Sequence, residues 1–324
     1  MKEFSSLIET LEKGLETLSM PTAPHNLYDP IRYTLALGGK RLRPLLSLLA
    51  QQLFDPKAQP AIEAALAVEV FHNFTLVHDD IMDEAPLRRG KPTVYTKWNT
   101  NVAILSGDVM LVQAYQLLLT IDPVLLPKVI QLFNQCAIEV CEGQQYDMDF
   151  EQRQSVAEHE YIEMIRLKTA VLLGFALEMG ALLGGATPAQ AEKLCLFGQK
   201  MGVGFQLKDD LLDVYGEQAK FGKQVGGDIL CNKKTYLLLY ALKNTSIAQK
   251  ETLDLWLAKE DYEPKEKVKA VRDIYDAIGV KKATEDKMNS YFDEAFELLA
   301  QIDVPQEQKE ALLLFTKNLI ARDH

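Results

Sequence analysis

The stretch EVFHNFTLVHDDIMD, Glu69 to Asp83, decides how the whole chain is read. Its apolar residues Val70, Phe71, Phe74, Val77 and Ile81 recur with the period of an α-helix, not the alternation of a strand. The helix ends in three aspartates, Asp79, Asp80 and Asp83, and Pro86 stops it just beyond. Asp79 and Asp83 are four residues apart and stack on one face. At about 4 Å and an effective dielectric of about 20, each like-charged pair repels by about 4 kcal/mol, so the run calls for a bound cation. The pattern recurs as Asp209, Asp210 and Asp213 in DDLLD, again after apolar sequence. A solvated helix end accounts for one such run. Two copies with one internal spacing, both set where stray surface charge is out of place, point to a site. Oxygen-only donors suit Mg²⁺, which takes one or two carboxylates and fills its remaining positions with water and phosphate oxygens.

Working outward, the same period holds almost everywhere. Helices are expected near 3–18, 27–37, 41–53, 58–84, 99–120, 123–149, 156–183, 188–216, 233–243, 247–258, 264–278, 280–300 and 306–320. Ser155-x-x-Glu158, Thr187-x-x-Gln190 and Ser246-x-x-Gln249 read as capping boxes. Pro123 and Pro188 fall where a first helical residue needs no donor, and Gly184-Gly185 closes a helix. Long helices with short loops predict an all-α fold, a large antiparallel helical bundle formed by one domain over 1–324. The segment after about 245 is assigned to scaffolding.

Composition narrows the function. Of 324 residues, 25% are charged and 48% hydrophobic, enough for a packed core. Acidic residues outnumber basic ones 46 to 35, a net charge of -11, which argues against nucleic acid as a partner. Four scattered cysteines without C-x-x-C spacing fit neither a zinc site nor a disulfide framework. The N-terminus lacks the basic start and apolar core of a secretory signal. The most apolar window, Thr169 to Gly185, carries Glu178 and is shorter than the roughly 20 residues of a transmembrane segment, so it reads as a core helix. The chain is taken as cytoplasmic.

Basic groups complement the acidic runs. GGKRLRP, Gly38 to Pro44, sets Lys40, Arg41 and Arg43 beside two glycines, a composition able to wrap an anion. It is no Walker loop, and Gly202-Val203-Gly204 lacks the third glycine of a dinucleotide fingerprint. Arg88 and Arg89 follow the first acidic run. His72 lies two turns before Asp79 on the same face and can donate to a phosphate. Lys168-Thr169 sits mid-helix among apolar residues, costly for an ammonium without a partner. Lys223 and Lys233 follow the second run.

In this order, with Gly143-Gln144 and Asp147 and then Gly204-Phe205-Gln206 between the acidic runs, the residues from about Leu37 to Thr235 resemble the trans-isoprenyl diphosphate synthase family. The resemblance implies the isoprenoid synthase fold, helices around a deep central cavity, and a homodimer. It implies that Asp79, Asp83 and Asp209 ligate three Mg²⁺ ions, supported by Asp80, Asp147, Asp210 and Asp213. Arg88, Lys168, Lys223 and Lys233 would bind the allylic diphosphate (dimethylallyl, geranyl or farnesyl). Lys40, Arg43, His72 and Arg89 would hold isopentenyl diphosphate, and Lys168, Thr169 and Gln206 would steady the allylic cation. Phe74 and Phe71 lie about 7.5 and 12 Å from Asp79 along the helix, and either can floor the tunnel that sets product length. Small Thr75 beside Phe74 resembles the archaeal geranylgeranyl type, so C20 is expected ahead of C15. A class I terpene cyclase and a non-catalytic partner subunit are the alternatives. The first would leave Lys40, Arg43 and His72 without purpose, and the second would have lost an aspartate run.

Overall fold

The computed structural model describes residues 4–216 and 226–321. Helices dominate them: α1 (Ser5–Glu16), α2 (His25–Ala36), α3 (Leu42–Phe54), α4 (Ile62–Met82), α5 (Val94–Lys97), α6 (Thr100–Leu118), α7 (Leu126–Gln152), α8 (Glu158–Ile165), a π turn (Arg166–Ala170), α9 (Val171–Leu183) and α10 (Pro188–Tyr215). They continue with α11 (Gly227–Leu230), α12 (Tyr236–Asn244), α13 (Ile247–Ala258), α14 (Pro264–Ala277), α15 (Val280–Ala300) and α16 (Gln306–Ile320). Among the described residues the only sheet is a two-stranded antiparallel ribbon, β1 (Leu87–Arg88) with β2 (Lys91–Pro92). The all-α reading holds. The helix expected over 156–183 is three pieces, because a π turn interrupts it.

The residues form two compact units, Met1–Cys136 with Leu172–Cys195 and Ile302–Thr316, and Ala137–Val171 with Leu196–Gln301 and Lys317–His324. In the first, α4 packs against α1, α2, α3 and α6. Ala64, Ala65, Ala67, Val68, Val70 and Phe71 are all buried, which explains why this helix is apolar on nearly every side. In the same unit α9 meets α3 backbone to backbone. A Cβ added at Gly180 or Gly184 would stand 2.0 or 2.4 Å from the carbonyl oxygens of Ser47 and Gln51, so these contacts admit only glycine.

In the second unit Leu211 and Val214 of α10 pack with Leu237 and Leu238 of α12, Leu253 of α13 and Val271 of α14. The segment after 245 thus supports the helix that carries the second acidic run. A neighbouring cluster gathers Phe150, Tyr161, Ile165, Val203, Leu207 and Tyr236.

Two of the three expected capping boxes form, at Thr187 with Gln190 and at Ser246 with Gln249. The third does not. Helix α8 begins at Glu158, and the Glu160 carboxylate accepts the Ala157 N–H at 2.8 Å while Arg153 holds its oxygens at 2.8 and 3.0 Å. That anchored carboxylate closes the first turn two residues past the predicted Ser155–Glu158 box. Pro123 falls in a turn before α7, where Asp122 accepts the Val124 N–H at 2.8 Å. Gly185, at φ 86°, ends α9, with the Ala186 N–H returning to the Ala181 carbonyl at 3.0 Å. Among the described residues no helix is long and apolar enough to cross a membrane.

Candidate active site

In the first unit, α4 ends at the first acidic run. Asp80 is buried and held by Arg88, whose Nε and Nη2 each lie 2.7 Å from Oδ1. Burial raises the Asp80 pKa against the opposing pull of Arg88. Asp79 is half-buried, 3.7 Å from Arg88 Nη2, and Asp83 is exposed. Arg88 sits on β1, and Arg89-Gly90 form the two-residue turn to β2 with φ of 53° and 73°. Positive φ at both positions is the hairpin geometry that Asn-Gly usually supplies; here Arg-Gly supplies it, so the ribbon carries no Asn-Gly signal in the sequence. The turn delivers the Arg89 guanidinium to Gly39, where an added Cβ would be 3.0 Å from Nη2.

The basic loop separates by direction. Arg41, one of the three cations in this loop and the one to which the resemblance gave no ligand role, turns inward. It is 2% exposed and donates to Glu12 at 2.8 Å, Glu69 at 2.6 Å and the Leu35 carbonyl at 2.9 Å. It anchors the fold, while Lys40 is exposed and Arg43 half-buried. Arg43 Nη1 donates to His72 Nε2 at 3.1 Å. Burial, with Arg43, Arg89, Arg88 and Arg41 nearby, holds the His72 pKa well below the usual imidazole range. His72 is therefore neutral with its proton on Nδ1, and any donation to a phosphate comes from that nitrogen.

On the same helix, Phe71 is 1% exposed and its ring packs edge-on against Phe133 at 5.0 Å. Phe74 is only half-buried and lies 4.8 Å from the His78 ring. The Thr75 hydroxyl donates to the His72 carbonyl at 2.7 Å. His78, which the sequence reading passed over, meets α6 where Gly107 leaves room, its Nε2 lying 3.1 Å from the Ile104 carbonyl oxygen.

The second unit carries the other set. Lys168 Nζ donates to Asp147 at 2.7 Å, and Lys233 Nζ lies 3.9 Å from the same carboxylate. Asp147 thus supplies the partner that a mid-helix ammonium requires. Burial alone would raise the Asp147 pKa, but Lys233 and Lys168 outweigh it and hold it below the usual range. Lys168 and Thr169 lie in the π turn, against two glycines. An added Cβ would stand 2.2 Å from the Lys168 nitrogen at Gly143 and 2.5 Å from Ala170 Cβ at Gly202. Such turns insert a residue into a helix and re-aim its side chains.

Thr169 Oγ1 donates to Gln206 Oε1 at 3.4 Å, and Gln206 Nε2 donates to Asp210 Oδ1 at 3.2 Å. The buried Tyr161 hydroxyl donates to Asp210 Oδ2. Burial, with Asp228 nearby, pushes the Asp210 pKa up to about 7, against Tyr161, Gln206 and Lys233. Asp213 accepts the Asp228 N–H at 2.9 Å at the start of α11, while Asp209 is exposed. Lys223 lies outside the described residues. Tyr161 and Asp228 are additional members of this group. The signal for Tyr161 was its place in the apolar period of Met164 and Ile165, which turns it to the core, where its hydroxyl must find a partner. No such signal marked Asp228.

Each acidic run offers carboxylate oxygens, and among the described residues no group of three His, Cys, Asp or Glu converges as a ready-made metal cage. This donor set fits a hard ion that takes few protein ligands and completes its shell with a substrate's phosphate oxygens. A family model described as Polyprenyl synthetase matches residues 24–275. The chain belongs to the polyprenyl synthetase family. This polyprenyl synthetase is 41% identical over 235 residues to the geranylgeranyl diphosphate synthase of Methanosarcina mazei, spanning 72% of each chain. It is 38% identical over 316 residues to the geranylgeranyl pyrophosphate synthase of Geoglobus acetivorans, spanning 97% of this chain and 96% of that one. A crystal structure of a geranylgeranyl pyrophosphate synthase matches at a TM-score of 0.94 and 44% identity over 98% of both chains. The fold is the isoprenoid synthase fold and the activity is prenyl transfer; neither the cyclase nor the non-catalytic alternative finds support.

Proposed function

We propose that this prenyltransferase joins isopentenyl diphosphate to an allylic diphosphate and makes geranylgeranyl diphosphate, with the whole chain acting as one catalytic domain. The observation that carries this reading is the division of labour among the charged groups. In each acidic run the middle aspartate is buried and bonded within the protein, Asp80 to Arg88 and Asp210 to Tyr161 and Gln206. The flanking Asp83 and Asp209 are exposed and Asp79 is half-buried. We assign Asp79, Asp83 and Asp209 as ligands of three Mg²⁺ ions, with Asp80, Asp147, Asp210 and Asp213 supporting them. Bound there, Mg²⁺ supplies hard positive charge opposite the diphosphate that leaves.

Arg88, Lys168, Lys223 and Lys233 bind that same leaving group. Lys40, Arg43 and Arg89, with His72, hold the diphosphate of isopentenyl diphosphate; the guanidiniums that crowd His72 favour a multiply charged anion. As the allylic C1–O bond breaks, the Thr169 hydroxyl, the Gln206 amide and the Lys168 carbonyl oxygen steady the cation. Carbon–carbon bond formation at the fixed double bond follows, and a proton is lost to the departing diphosphate. Prior fixation of the second substrate removes the entropy of encounter. Phe71 is tied into aromatic packing, so product length is assigned to Phe74. Leu105, Val112 and Leu119 are 57%, 57% and 63% exposed at seven-residue intervals along α6 and its C-terminal cap. Such an apolar stripe suits a homodimer.

Incubating the full chain with Mg²⁺, labelled isopentenyl diphosphate and each of dimethylallyl, geranyl and farnesyl diphosphate tests the reading. Chromatography of the dephosphorylated alcohols is expected to show C20 from every primer, and longer alcohols from Phe74→Ala. No labelled alcohol would overturn the reaction, and a C15 end product would overturn the length assignment.

A further inference from the structure

Tyr161 is 1% exposed and packed with Phe150, Ile165 and Leu207, surroundings that phenylalanine would satisfy equally well. What phenylalanine lacks is the hydroxyl, and that hydroxyl donates to Asp210 Oδ2, on a side chain itself 4% exposed. The other oxygen of Asp210 accepts Gln206 Nε2 at 3.2 Å. With the NH₂ of Gln206 given to Asp210, its carbonyl oxygen is the end turned toward Thr169, 3.4 Å away. The chain of contacts runs from α8 through α10 to the π turn, and Tyr161 fixes its far end.

We infer that Tyr161 is a positioning residue which, by holding Asp210, keeps the amide oxygen of Gln206 facing Thr169 and so sets the rate of the chemical step. The inference rests on the proposed prenyl transfer and adds a residue to it. Without the hydroxyl, Asp210 has lost a donor at one oxygen and is free to rotate. The Gln206 amide then loses its fixed partner and can turn its NH₂ outward. That substitutes the positive end of a dipole for the negative end beside a developing carbocation, the wrong sign for stabilisation. A buried, bonded phenol also resists ionisation; burial first, then Asp210, raises the Tyr161 pKa well above the phenol range, so the proton stays on the tyrosine to be donated.

The test is a double-mutant cycle on the full-length enzyme with Mg²⁺, measuring kcat and KM for isopentenyl diphosphate in wild type, Tyr161→Phe, Gln206→Ala and the double variant. Tyr161→Phe is expected to lower kcat about tenfold, the range of one lost hydrogen bond in a transition state, with KM for isopentenyl diphosphate within about twofold. In the Gln206→Ala background the same substitution is expected to cost less than about twofold, because the group it acts through is gone. An unchanged kcat in Tyr161→Phe, or an equal loss in both backgrounds, overturns the inference. Should Tyr161→Phe not fold, Asp210→Asn takes its place in the cycle. Its Nδ2 facing Gln206 is expected to produce a loss that shrinks in the Gln206→Ala background, and an undiminished loss there overturns the inference. A wild type that forms no prenyl product defeats the proposed function, whereas an active wild type with a fully active Tyr161→Phe defeats only the role of Tyr161.

Discussion

Arg41, at the cap of α3, and Arg43, in its first turn, stand two residues apart and do opposite work. Arg41 is buried against Glu12 and Glu69, and removing one partner of a buried ion pair leaves charge without compensation. Arg41→Ala is expected to lower unfolding free energy by about 3–5 kcal/mol in urea titration. Arg43→Ala is expected to leave the urea midpoint nearly unchanged and to raise KM for isopentenyl diphosphate about tenfold or more, as loss of a charge-assisted contact does. Charge alone does not separate these two, since it carries no direction, and only the family resemblance gave Arg43 and not Arg41 a diphosphate role; the left-handed backbone at Arg41, φ 48°, turns it inward. Asp210 supplies the pH dependence. Its pKa rises from 3.8 unfolded to about 7 folded, so between those values the folded state holds the extra proton and stability falls as pH rises. Metal-free wild type is expected to lose up to about 1.4 kcal/mol of stability relative to Asp210→Asn for each pH unit climbed from about 4 to 7. Parallel stability curves for the two proteins in chelator would contradict that.

At the scale of elements, the long helices were legible because their apolar residues recur with the helical period and a few carry a side-chain cap, as Ser246-Gln249 and Thr187-Gln190 show. The π turn was not legible. It lies where Gly143 and Gly202 of other helices come close, a tertiary contact with no local signature beyond two glycines in helical sequence. The ribbon at Arg88 was missed because Arg89 occupies a backbone region that arginine seldom visits. Gly143→Ala places a methyl within 2.2 Å of the Lys168 nitrogen, so the helices must part. We expect a loss of about 1–3 kcal/mol by thermal melting and a lower kcat, since Lys168 and Thr169 move with the turn. Wild-type melting and turnover in this variant would show that the turn does not depend on the glycine.

At the scale of the whole molecule, prenyl transfer was readable from the order of motifs between Leu37 and Thr235. The rest, such as the packing of α13 and α14 behind α10, carries little chemistry and is read only as apolar period. Candidate site residues that carry charge stand out in the sequence, whereas one placed by a buried contact, such as Tyr161, needed the fold. Product length is the property least fixed by motif, since it rests on a few side chains along α4. The central claim concerns the acidic runs, and it is tested most directly by incorporation of labelled isopentenyl diphosphate as Mg²⁺ is titrated into wild type, Asp79→Ala and Asp209→Ala. The prediction is turnover by wild type that saturates with Mg²⁺ and stops on chelation, a fall of about 10²–10³-fold or more in each variant, and helicity unchanged by circular dichroism. Full turnover by either variant, or by chelated wild type, would contradict it.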